Sequence, residues 1–267
     1  MRFLRRAVRP LLVGLFVSRG PTRIRRGSLR GRSLPPAVAR RNLPMIFGAY
    51  EPEICAVLRE QARDARVVYD IGAHVGYMSL LLADVAGARG RVIAFEPSPR
   101  EADAVEELIR CNGLEGRVTL ERCAVSDADG EATFIVSDKS FTGILDSAPE
   151  SRHQGDAAVV PTVTLDGFVF GRGNPAPDFI KLDVESAEAM VIAGAKRLLR
   201  EVRPKMLIEL HGPDAARDTI RQMLEHGYRL ERVGDGRPVA VTTPDQLRPV
   251  FVRNRWTCHV LASPPGA

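Results

Sequence analysis

The chain has 267 residues, 45% hydrophobic and 27% charged, with a net charge of +5, a composition that excludes a disordered or fibrous protein and fits a globular one. The basic excess is local: residues 1–50 hold twelve Arg, no Lys and no acid, so +5 minus +12 leaves −7 for residues 51–267. An acidic body argues against a nucleic-acid enzyme, which carries its basic face on the folded domain.

In chain order, the Arg-rich arm comes first. It reads either as a solvated, partly disordered tail or as a contact for anionic lipid or an acidic partner. Its apolar run Leu11-Leu12-Val13-Gly14-Leu15-Phe16-Val17 is far short of the ~20 residues that span a bilayer. No A-x-A cleavage site follows it. The run is expected to be a short amphipathic helix packed on the body, with peripheral membrane contact or organelle targeting as the alternatives. Cys55, Cys111, Cys123 and Cys258 form no C-x-x-C pair, which fits a reducing cytoplasm without a disulfide frame or structural zinc.

From Val67 onward, strand and helix patterns alternate, predicting an α/β fold with a doubly wound, mostly parallel, seven-stranded sheet. Strands are expected at 67–71, 92–96, 118–123, 178–183, 205–210, about 228–233 and 256–262. Helices are expected at about 52–63, 76–86, 99–112, 186–201 and 213–226. Glu131–Val136, after the Asp129-Gly130 turn, reads as a strand outside the alternation. The polar segment 137–155 has no period and reads as a substrate-facing loop. The expected organisation is an arm at 1–46, one catalytic domain at 47–262 and a loose tail at 263–267.

Three strand ends carry the chemistry. The first is Val67-Val68-Tyr69-Asp70-Ile71-Gly72-Ala73-His74-Val75-Gly76, answered by Val92-Ile93-Ala94-Phe95-Glu96. A glycine loop leading into a helix offers free N–H groups to a ligand, and an acid ending the next strand can accept both ribose hydroxyls. The dinucleotide fingerprint places a glycine where His74 stands, to make room for pyrophosphate. His74 therefore disfavours a dinucleotide. It suits a nucleoside joined to an amino acid, whose ammonium Asp70 can meet, a description that resembles the S-adenosylmethionine site of class I methyltransferases.

The second strand end is Asp178-Phe179-Ile180-Lys181-Leu182-Asp183-Val184-Glu185-Ser186-Ala187-Glu188. It places Asp183 at the carboxyl edge of the sheet. Glu185 and Glu188 share the first turn of the helix that follows, where helix capping is the competing explanation. The third, Lys205–His211, carries Glu209 and His211 on one side of its strand. Among Asp183, Glu209 and His211, the histidine has the ordinary pKa nearest neutrality and is the first choice of general base. The same three residues are also a candidate set of divalent-metal ligands.

With Asn112-Gly113-Leu114, Ala124-Val125-Ser126-Asp127, Thr164-Leu165-Asp166 and the upstream Phe47-Gly48-Ala49-Tyr50-Glu51-Pro52-Glu53, these blocks resemble, in their order, the FkbM family. The resemblance covers roughly residues 47–233 and leaves the arm outside. It implies a Rossmann-like class I methyltransferase that uses S-adenosylmethionine to modify an oxygen of a small-molecule, lipid or sugar acceptor. By position, Asp70 and Gly72 would line the methionine end, Glu96 the ribose, and Cys123 and Ala124 the adenine; His74, which shapes the loop, Gly76 and Asp183 complete the expected cofactor-binding set. Other O-methyltransferases hold Mg2+ at corresponding strand ends. Ser186 departs from the family's usual glycine, and His74 from its common Asn. The rival readings are a nicotinamide-dependent oxidoreductase, a non-catalytic cofactor-binding domain and, against the acidic body, an RNA methyltransferase.

Overall fold

Alternation of apolar residues from Val67 onward does build one central sheet. The computed structural model describes residues 12–136, 143–145, 156–234, 236–252 and 256–266. Within these the strands are β1 (Thr22–Arg23), β2 (Ser33–Leu34), β3 (Val67–Ile71), β4 (Arg91–Phe95), β5 (Val118–Glu121), β6 (Ala124–Val125) and β7 (Gly130–Val136), followed by β8 (Gly143–Leu145), β9 (Asp156–Val163), β10 (Phe179–Leu182), β11 (Lys205–His211), β12 (Arg229–Val233), β13 (Val239–Val241) and β14 (Thr257–Ser263).

The main sheet has eight strands in the order β13-β12-β14-β11-β10-β3-β4-β5. The five from β11 to β5 run parallel, and β14, β12 and β13 continue it antiparallel. All seven expected strands are present. The eighth, β13, went unpredicted because three residues, two of them exposed, are too short to show a period. A second sheet, β6-β9-β7-β8, absorbs the strand expected at 131–136. The segment 137–155, expected to face the substrate, lies outside the described residues except for β8, which pairs antiparallel with β7.

Successive residues of a strand face opposite sides, so the sheet feeds two cores. Val68, Val92 and Phe179 join one, and Tyr69, Ile71, Phe95 and Ile180 the other. The expected helix at 186–201 is two pieces, Glu188–Ala193 and Lys196–Glu201. They part at Gly194, where a Cβ would stand 2.1 Å from the carbonyl oxygen of Ser126.

Helix Tyr77–Val85 is buried from Tyr77 through Ala83. A helix apolar all round must be covered on its outer side as well as against the sheet. Helix Pro52–Gln61 packs on it, and Ile24, Leu29, Leu34, Met45 and Ile46 join the same core. Residues 22–46, expected to stand apart as an arm, are therefore part of the body. Asn112 ties them down: its amide donates to Ser33 O and accepts from Ser33 N, both at 2.9 Å, and Arg32 pairs with Asp84. Residues 12–16 are helical, and Phe16 sets its ring edge-on against Phe47 at 5.1 Å. Among the described residues no helix is long and apolar enough to cross a membrane.

Gly72 follows β3 with φ +79, and a Cβ there would lie 1.7 Å from the carbonyl oxygen of Asp183. Gly113 has φ +64 with open space around it. Gly72→Ala should therefore lose about 3 kcal/mol or more, combining backbone strain with a backbone clash. Gly113→Ala should lose only about 1 kcal/mol. Denaturant unfolding of both variants checks this; equal losses would show that the contact with Asp183 is not limiting.

Candidate functional site at the carboxyl edge of the sheet

After β3 the chain moves outward to β4 and β5, then returns to the other side of β3 as β10 and β11. Loops diverge at such a switch point, and open α/β sheets hold ligands there. The cleft at this edge is lined by Gly72, Ala73, His74, Glu96, Ser98, Cys123, Ala124, Lys181, Asp183, Glu185, Glu209 and His211, together with Tyr50 and Glu51. Gly76 lies at the N-terminus of helix Tyr77–Val85 and is not among the lining residues.

At one end, Glu96 is held by two backbone amides: His74 N–H donates to Oε2 at 2.7 Å and Ser98 N–H to Oε1 at 2.9 Å. Burial pushes this carboxyl up to about 7, against the two amide bonds that favour its charge. Each oxygen retains acceptor capacity, so the carboxylate can receive two adjacent hydroxyls. Cys123 and Ala124 line the cleft with Val125 close by. Gly72 lines the cleft and lets the backbone of Asp183 pass close to it, where a side chain would clash.

Asp70 is corrected. It is fully buried and absent from the cleft wall, so it cannot touch a ligand's ammonium. Ser79 Oγ donates to its Oδ2, and Lys181 Nζ lies 3.3 Å from its Oδ1. The two residues are register partners on adjacent strands, and their side chains therefore emerge together. Lys181 Nζ also donates to Gly72 O at 3.0 Å and meets Asp183 Oδ2 at 3.1 Å. Burial works against its charge, but Asp183 and Asp70 outweigh burial and hold the ammonium protonated. Sequence reasoning missed Lys181, although a lysine inside the run Phe179-Ile180-Lys181-Leu182 was a signal: lysine is almost never buried unless paired.

At the opposite end, His211 is 3% exposed among four acids. Nδ1 lies 2.7 Å from Glu188 Oε1. Nε2 lies 3.7 Å from Asp183 Oδ1, 3.7 Å from Glu185 Oε2 and 3.8 Å from Glu209 Oε1. Burial lowers the pKa of this histidine, but the bond to Glu188 and the surrounding charges raise it to about 10. The ring is thus cationic at neutral pH, and its expected part as a base with an ordinary pKa is corrected. Burial pushes Glu185 up to about 7. Burial also acts to raise Glu209, but His259, with Nε2 at 3.2 Å from Glu209 Oε2, holds it down at about 2. Glu209 and His259 are register partners across β11 and β14. That antiparallel pairing left no mark in the sequence, and neither His259 nor Glu51 was singled out. Glu188, open to a capping role, accepts from the Ser186 N–H ahead of its helix at 3.1 Å and also orients His211.

Glu185 and Ser186 turn the chain in the left-handed region, at φ +47 and +73. This explains the departure noted at Ser186: the backbone keeps the conformation suited to glycine, and serine carries the strain.

Residues 70–230 match the family described as the methyltransferase FkbM domain. The hexuronic acid methyltransferase AglP of Haloferax volcanii is 25% identical over 175 residues, covering 66% of this chain and 68% of its own. The 31-O-demethyl-FK506 methyltransferase FkbM of Streptomyces tacrolimicus is 26% identical over 200 residues, covering 64% of this chain and 75% of its own. Among solved structures, methyltransferase FkbM from Methylobacillus flagellatus matches with a TM-score of 0.48 at 16% identity. That match covers 85% of this chain, which spans 60% of the other's length.

Lys181→Met should lose about 3–5 kcal/mol, because it leaves Asp70 in the interior without its cation, with the Ser79 hydroxyl still bonded to it. Ser186→Gly should gain about 0.5–1 kcal/mol by relieving the positive φ, less the entropy glycine adds to the unfolded chain. Thermal and denaturant melts read both; a stable Lys181→Met protein would contradict the pairing.

Proposed function

Because the chain belongs to the FkbM methyltransferase family, we propose that it uses S-adenosylmethionine to methylate a hydroxyl oxygen of a small-molecule, lipid or sugar acceptor. The carrying observation is Glu96, a carboxylate fixed by two backbone amides with both oxygens able to accept further bonds. That donor set fits a ribose diol. In this reading the Gly72–His74 loop and Asp183 bound the methionine side, and Cys123 and Ala124 the adenine. When bound, S-adenosylmethionine supplies a methyl group activated by its positively charged sulfur.

The chain's own contribution is alignment, since an in-line displacement is accelerated mainly by holding the reacting atoms at near-attack distance. Lys181 fixes the β3 loop against the end of β10 by bonding Gly72 O and Asp183 together. Glu51, Asp183, Glu185 and Glu209 line the acceptor side with oxygens. They accept hydrogen bonds from hydroxyls and repel anions, which supports a hydroxyl-rich acceptor over a carboxylate. Asp183 and Glu209 draw the hydroxyl's hydrogen, a task the cationic His211 cannot perform. The name of one curated relative, which acts on a demethylated oxygen of FK506, agrees with an oxygen acceptor; the other is named for a hexuronic acid, a sugar, without the atom it modifies.

Isothermal titration should show binding of S-adenosylmethionine and none of NAD; the reverse result would restore the oxidoreductase reading. Glu96→Gln should weaken binding about ten- to a hundredfold, the worth of hydrogen bonds to a charged group. Burial holds Glu96 protonated below about pH 7, whereas the diol favours the ionised form, so binding expels a proton there. Affinity should be level above pH 7 and fall about tenfold per unit below it, with a flat profile in Glu96→Gln.

A further inference from the structure

Three side chains at the acceptor end of the cleft share one pattern, in which one donor atom is tied back by a neighbour and the other points at a common space. Asp183 has Oδ2 held by Lys181 at 3.1 Å, which leaves Oδ1. Glu209 has Oε2 held by His259 at 3.2 Å, which leaves Oε1. His211 has Nδ1 held by Glu188 at 2.7 Å, which leaves Nε2. We propose that Asp183 Oδ1, Glu209 Oε1 and His211 Nε2 form a preorganised site for one divalent cation of the Mg2+ or Mn2+ class.

The spacing supports an ion over a plain hydrogen-bond network. His211 is 3% exposed, yet its Nε2 has no carboxylate oxygen nearer than 3.7 Å. Nε2 opens on the cleft, and an N–H with a protein acceptor of its own draws it to about 2.9 Å. Here three oxygens stand off at nearly equal distances, and the ligand atoms of Asp183, Glu209 and His211 all lie within 4.8 Å of one another. Neighbouring ligands about 2.1 Å from an octahedral ion are about 3.0 Å apart, so each atom need move only slightly inward. Glu185 Oε2, also 3.7 Å from Nε2, is a fourth oxygen on the open side.

The ties are what a metal site requires. A ligating histidine gives its other nitrogen's hydrogen to a carboxylate, which fixes the tautomer and the ring direction. Glu188, fully buried, does this for His211. The ion takes the place of the Nε2 proton of His211, which leaves to solvent; two carboxylates, the neutral imidazole that results and a dication then sum to zero charge. A second set of donor residues, Glu51, Glu209 and His259, shares Glu209, but His259 is already within hydrogen-bond distance of it. In this arrangement His259, Lys181 and Glu188 are positioning residues.

Oxygen-rich carboxylate sites suit Mg2+ and Mn2+. The consequence for catalysis rests on the methyltransferase reading: a hydroxyl beside the ion would release its proton more readily. Binding of the ion does not rest on it.

The test is a titration of the full, chelator-treated chain with Mn2+, followed by electron paramagnetic resonance. One Mn2+ should bind per chain with a nitrogen coupling from an imidazole, and His211→Gln should remove that coupling. Asp183→Asn and Glu209→Gln should weaken binding at least a hundredfold, and Glu188→Gln about ten- to a hundredfold, with circular dichroism confirming that each variant folds. If a variant does not fold, the nitrogen coupling in the unaltered chain still decides. No bound Mn2+, no nitrogen coupling, or unchanged affinity in folded Asp183→Asn and Glu209→Gln would overturn the site. S-adenosylmethionine titrated in parallel under chelator separates the readings: its binding without any Mn2+ binding sinks the metal site alone, and Mn2+ binding without it sinks the cofactor reading alone.

Discussion

A single buried ammonium organises the functional edge of this protein. Lys181 Nζ reaches Asp70, Asp183 and the carbonyl of Gly72, joining three points of the chain at the place where the sheet reverses its strand order. An ion in the interior is tolerated only when its partners leave it no unmet demand. This one has two carboxylates and a carbonyl. Asp70 is held in turn by Ser79 from the first turn of the following helix. The loop that bounds one end of the cleft, and the acid that begins its other end, are therefore set by one interaction below the floor.

Above that floor the cleft divides by charge and by chemistry. Around Glu96 a carboxylate is held by two backbone amides, an arrangement that leaves each oxygen able to accept a further bond. Around His211 four acids, Asp183, Glu185, Glu188 and Glu209, crowd together, and Lys181 meets one of them. Crowding of this kind raises the energy of the empty site and is relieved by whatever cation or hydroxyl group comes in. The strained pair Glu185 and Ser186 lies between Asp183 and Glu188, and positive φ at two residues that are not glycine is the kind of local cost that persists where the surrounding structure fixes it.

The helix behind the glycine loop explains the N-terminal region. Its apolar residues run all round, so the body is incomplete without a layer outside it. Helix Pro52–Gln61 and residues from the β1–β2 hairpin provide that layer. The arginines of this region point outward while Ile24, Leu29 and Leu34 point in, and a segment that looks like a basic tail by composition is, in its described part, a lid on the core. The all-round pattern at Met78–Ala83 was visible in the sequence; what covered it was not.

The sequence by itself determined the seven principal strands, the glycine loop, the acids that end β4, β10 and β11, and the family blocks, because period and spacing are local properties that survive without contacts. It also placed Asp183, Glu209 and His211 together at one edge, since every parallel strand ends on the same side. Tertiary structure decided what those residues do. Asp70 became a buried counter-ion because strand register set Lys181 beside it, and His211 became a cation because Glu188 and three other acids converge on it from separate turns and strands. His259 entered through an antiparallel pairing with no local signature. Protonation, pairing and exposure depend on distances between residues remote in the chain, and those distances exist only once the sheet has closed.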